Sequence, residues 1–102
     1  MPVNPHRQKW QALLDRVLTG PGATPPLLRQ QAADDRGLEG ATAAYVHQVH
    51  VDALRTTDAQ VDALRPNYSE DQIFELTVAA ATGAGRDRLD KVLALLAEQE
   101  RA

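Results

Sequence analysis

The sequence contains no cysteine. That absence excludes disulfides, thiol nucleophiles and any zinc or iron–sulfur site built on cysteine. Aromatic residues are scarce, at 4% of 102 residues: Trp10, Tyr45, Tyr68 and Phe74. The 43% hydrophobic content is therefore mostly Ala, Leu and Val, which suits closely packed helices better than a β-sandwich. Positive charge is not in excess, since 11 Lys and Arg face 14 Asp and Glu, a net charge of −3. A nucleic-acid face or an anionic-membrane face needs the opposite balance, so neither partner is expected. No apolar run is long enough to span a bilayer. Residues 1–9 lack the apolar stretch of a signal peptide, and the expected location is the cytoplasm.

What the sequence does contain is helical punctuation. Its length suffices for one domain with a thin core, which self-association would thicken. Asn4-Pro5 reads as an N-cap followed by a first-turn proline, and Trp10, Leu13, Leu14, Val17 and Leu18 then fall on one helix face. Trp10 is expected to anchor this helix. Gly20-Pro21-Gly22 stops it, and Thr24-Pro25 restarts a helix with Leu27, Leu28 and Ala32 inward. A third helix is expected from about residues 38–42 to Arg55, burying Tyr45, Val46, Val49 and Ala53. Thr57-Asp58-Ala59-Gln60 and Ser69-Glu70-Asp71-Gln72 both have the capping-box form. The first opens a short helix with Val61 and Leu64 facing the core. The second opens a helix over residues 70–82 that is apolar almost all round except for Glu75, so a central position is expected. Gly83-Ala84-Gly85 predicts a kink or break. A last helix over residues 86–99 carries Leu89, Val92, Leu93 and Leu96 as its stripe. No segment alternates like a strand. Val-Asp-Ala-Leu-Arg occurs at 51–55 and 61–65, but ten residues is 2.8 helical turns, so the two copies share no face.

The stretches 68–85 (Tyr-Ser-Glu-Asp-Gln-Ile-Phe-Glu-Leu-Thr-Val-Ala-Ala-Ala-Thr-Gly-Ala-Gly) and 86–96 (Arg-Asp-Arg-Leu-Asp-Lys-Val-Leu-Ala-Leu-Leu) carry a resemblance. The chain resembles the alkylhydroperoxidase D-like/carboxymuconolactone decarboxylase-like superfamily there, and residues 17–22 and 56–65 look like a cysteine-free branch of it. The resemblance implies an all-α bundle of about six helices and a homo-oligomer. Redox members of that superfamily use a Cys-x-x-Cys-x-x-x-His motif with an upstream Glu. Here the cysteine positions fall near Ala53 and Thr56 and the histidine position near Gln60, while Glu39 lies near the place of the glutamate without matching it. A disulfide cycle needs a thiolate, so the resemblance does not bring peroxidase chemistry with it. It implies either a non-peroxidatic oligomer that binds a small molecule or a partner, or a cysteine-independent enzyme of the decarboxylase type.

Candidate residues for the second reading are Glu75, His47 and His50. Glu75 is either a general acid/base with a raised pKa in a helix-lined pocket, or one half of a structural ion pair with Arg86 or Arg88. His47 and His50 share a helix face and could ligate a metal with Asp52 or Asp58; the competing reading is a polar outer face shared with Gln48. Tyr45 and Tyr68 suit the edge of a core or a ligand contact. Arg55, Arg65, Arg86 and Arg88 could form an anion site, but Asp52, Asp58, Asp62, Asp87 and Asp90 balance them as surface pairs. No cofactor and no metal is expected.

Overall fold

The computed structural model describes residues 5–101, apart from the side chains at positions 5–7, 10 and 101. The cap expected at Asn4 and the anchoring role expected of Trp10 lie outside the described residues. Five α-helices and no strands are present among them: α1 (Pro5–Thr19), α2 (Pro26–Asp34), α3 (Gly40–Asp52), α4 (Asp58–Asp62) and α5 (Glu70–Arg101). A single 3-10 turn, Ala53–Arg55, follows α3.

Local chemistry sets most of these boundaries. At α4, Thr57 Oγ1 accepts from the Gln60 N–H while Gln60 Oε1 accepts from the Thr57 N–H, at 3.3 and 3.0 Å. Ser69 and Gln72 repeat the exchange at α5, at 3.2 and 2.9 Å. Two orphan amides are satisfied at each helix start. The expected cap at Thr24 does not form: α2 begins one residue after Pro25, which has no side-chain cap, and the Thr24 hydroxyl is used elsewhere.

The core gathers on α5. Leu18 of α1, Ala32 and Ala33 of α2, Tyr45, Val46 and Val49 of α3, and Leu64 pack around Ile73, Leu76, Ala79 and Ala80. Tyr45 keeps its hydroxyl satisfied with a 2.6 Å hydrogen bond to Thr77 Oγ1. Tyr68 accepts from Thr42 Oγ1 at 3.3 Å. Four expectations about apolar faces need correction, the first being Ala53, which was expected to be buried but lies exposed in the 3-10 turn after α3 has ended. Leu13 and Leu27, read as inward, are more than half exposed. Residues 70–82 are not enclosed on all sides, because Phe74 is 69% exposed. The stripe of Leu89, Val92 and Leu96 is not core but solvent-facing, along with Leu95.

The largest correction concerns Gly83-Ala84-Gly85, where no break occurs. α5 runs through it for 32 residues, so the two expected C-terminal helices are one and the expected six become five. Gly83 serves packing instead. A Cβ there would overlap the backbone of Ala33, so glycine lets the end of α2 lie directly on α5. Gly85, by contrast, has nothing within 4 Å of where its Cβ would lie. Gly83→Ala is therefore expected to cost about 1–3 kcal/mol through overpacking, whereas Gly85→Ala should add roughly 0.5–1 kcal/mol through helix propensity. Urea unfolding of the two variants checks this, and equal shifts of the same sign would contradict it.

Candidate functional site

The backbone carbonyls at a helix C-terminus need donors, and this fold supplies them from distant cationic side chains. Arg29 of α2 serves α1. Its Nη1 donates to the Val17 carbonyl at 2.7 Å, and its Nη2 donates to the carbonyls of Gly20 and Thr24. His50 of α3 and Arg86 of α5 serve α2: His50 Nε2 donates to the Ala32 carbonyl at 2.8 Å and Arg86 Nη2 to the Ala33 carbonyl at 3.5 Å. Arg88 serves α3, with Nη2 donating to the His50 carbonyl at 2.9 Å.

Glu75 is the anionic counterpart, and it binds the loop between α1 and α2. Oε2 accepts from the Ala23 N–H at 2.5 Å. Oε1 accepts from the Thr24 N–H at 3.2 Å and from the Thr24 hydroxyl at 2.8 Å. Arg29 Nε, buried and without a hydrogen bond of its own, lies 3.9 Å from Oε1. Gly22 is needed beside it, because a Cβ would run into the carboxylate. Gln72 completes the clasp by donating Nε2 to the Ala23 carbonyl at 3.2 Å.

The sequence points to Glu75, and its surroundings differ from both expectations. Its cation is Arg29, not Arg86 or Arg88. Burial works against ionisation, but the Ala23 amide, the Thr24 hydroxyl and amide, and the Arg29 charge outweigh it, and the carboxyl titrates below its ordinary value. A carboxylate held ionised by this many donors is poorly placed as a general acid. Arg29 itself was not evident as a site residue. The available signal was its position: a charge directly after Leu27-Leu28 and three residues before the buried Ala32.

The other candidates are dispersed. His47 is largely exposed and donates Nδ1–H to Asp35 Oδ2 at 2.7 Å, while His50 turns to the Ala32 carbonyl. The two rings share a helix but not a target, and no three His, Asp or Glu side chains among the described residues are grouped to hold a metal ion. Arg55 pairs with Asp52, Arg65 with Asp62 and Glu70, and Arg86 with Asp34 and Asp87, so the four arginines do not converge. What does form a concavity is the Glu75 neighbourhood. A groove of about 620 Å³ runs between the end of α1 and the start of α5. Val17, Pro21, Phe74 and Val78 supply its apolar wall, and Arg16 and Asp71 stand at it with Glu75.

The clasp makes a pH prediction with a fixed sign. Because the native pKa of Glu75 lies below the unfolded one, its stabilisation is complete above the ordinary carboxylate range and is lost as pH falls through the native value. Glu75→Gln should cost about 2 kcal/mol near neutral pH and should converge on the parent protein in acid. Denaturant midpoints across pH 2–7 measure this; parallel curves at all pH values would contradict it.

Compared with family models, with curated proteins and with solved structures, the chain matches none.

Proposed function

We propose that this chain is a homo-oligomeric, non-peroxidatic helical domain of the alkylhydroperoxidase D-like/carboxymuconolactone decarboxylase-like type, in its cysteine-free branch, that works by association in the cytoplasm. The observation that carries the reading is the second half of α5. Beyond Arg86 it presents Leu89, Val92, Leu95 and Leu96 at 39–52% exposure, on a helix that the rest of the described chain leaves uncovered. A row of this kind marks an interaction face. The fold places no competing use on it, since the core is complete with residues 73–84 of α5.

A second copy is the occupant. Burying a half-exposed leucine or valine contributes on the order of 1 kcal/mol. Five such side chains from each of two copies, Leu93 included, give a gross gain of roughly 10 kcal/mol, from which association removes at least about 4 kcal/mol. The remainder, at most about 6 kcal/mol, corresponds to a dissociation constant of about 40 μM or weaker.

The decarboxylase-type alternative draws no support from the geometry. Glu75 is held ionised within the loop clasp, and His47 and His50 are engaged by Asp35 and the Ala32 carbonyl. The groove beside Glu75 falls within the size range of small-molecule sites, which supports ligand binding as a second role.

Light scattering between 1 and 500 μM (about the span that brackets this affinity) should show the mass rising from 11.1 kDa toward the dimer. Val92→Glu combined with Leu96→Glu should hold the protein monomeric with an unchanged unfolding midpoint for the body. An 11.1 kDa particle at every concentration would overturn the reading. So would turnover of a lactone acid that disappears in Glu75→Gln.

A further inference from the structure

We infer that the second half of α5 pairs with the same segment of a second copy in antiparallel orientation, with the two-fold axis near Ala94. This rests on the homo-oligomer reading and specifies its interface. Residues 89, 92, 96 and 99 alternate by three and four, the spacing of a two-helix seam. At 100° per residue, Val92 lies opposite Gly83, which packs on α2, and well away from Leu76, Ala79 and Ala80, so the seam points away from the body.

The choice of orientation follows from what each register places together. Antiparallel, with Val92 against Leu96 of the second copy, Leu89 meets Gln99, Leu93 meets Leu93 and Leu95 meets Leu95 across the axis. Four of the five apolar side chains then find an apolar partner. Glu100 of one copy approaches the root of the other on the flank that carries Arg86, while Asp87, Asp90, Lys91 and Glu98 all sit on the far side of the helix. Parallel, the same seam sets Arg88 against Leu93 and Leu95 against Glu100, leaving apolar groups facing charges at both flanks. The parallel seam sets Leu89, Val92 and Leu96 against their own copies, three of the five, so the stripe matches itself better when reversed, and a reversed second copy of this chain is its partner. The overlap of residues 86–101 is about 24 Å long, and the two bodies stand at opposite ends of it.

The absence of cysteine makes the register directly measurable, because each introduced thiol is the only one in its chain. Val92→Cys and Leu96→Cys replace half-exposed side chains outside the core. Mixed together under mild oxidation, with one carrying a mass tag, they should form the crossed disulfide at least tenfold faster than either forms one with itself. Leu93→Cys should crosslink with itself. Faster self-crosslinking of Val92→Cys and of Leu96→Cys than of the mixture would overturn the antiparallel register. Crosslinking no faster than that of Gln48→Cys, on α3, would also overturn it. Light scattering on the parent protein separates the two levels: a dimer without the crossed disulfide removes the register alone, and a monomer at all concentrations removes the homo-oligomer reading with it.

Discussion

Arg29 and Glu75 together hold the polar loop between α1 and α2 against the hydrophobic core. The Arg29 side chain is 4% exposed, and its guanidinium is committed to three carbonyls and a carboxylate. Glu75 spends both oxygens on the amides of the same loop. Each charge would be costly alone, and each is compensated by groups that the other helps to position. The loop brings Leu18 and α1 to their place against α2 and fixes α2 on α5. The groove beside Phe74 is the space left over when this clasp closes.

A second economy runs through the fold. Several of its helix C-termini receive donors from across the tertiary structure, while α4 and α5 cap their own N-termini. His50, Arg86 and Arg88 each reach a carbonyl of another helix, and the two arginines link elements that also pack together. These contacts do for a thin core what extra apolar area does in a larger domain. They also account for residues whose composition suggests a site: two histidines and several arginines are distributed over helix termini and ion pairs.

The sequence disclosed what is locally determined. Thr57, Gln60, Ser69 and Gln72 are legible because a capping box is closed by residues three apart. Leu14, Leu18, Tyr45, Val46, Val49 and Leu64 are legible because periodicity assigns a face. Glu75 stands out as a lone charge among apolar neighbours, but its partner does not, since nearness in sequence favoured Arg86 and nearness in space selected Arg29. Arg29 was hidden because most of its partners are backbone carbonyls, which every residue carries. Gly83 was misread for a related reason: a glycine looks like a helix breaker until the Ala33 backbone that needs the space is known. The stripe from Leu89 to Leu96 shows which face is apolar, and periodicity has no means of saying whether the cover comes from the same chain.

The unbroken length of α5 joins two regions of very different local stability. Its first half is fastened by the core, while its second half is a sixteen-residue helix in solvent, close to the length at which an isolated helix is marginal. The anchored half provides a nucleus, so the tail propagates from an existing turn instead of starting one. Its amide hydrogens are expected to exchange through local fraying, and the frayed state is the one that the proposed pairing would suppress. Under the proposed pairing, exchange protection in residues 89–101 would follow protein concentration, while protection in residues 73–84 follows the folding of the body. One helix would then report two equilibria.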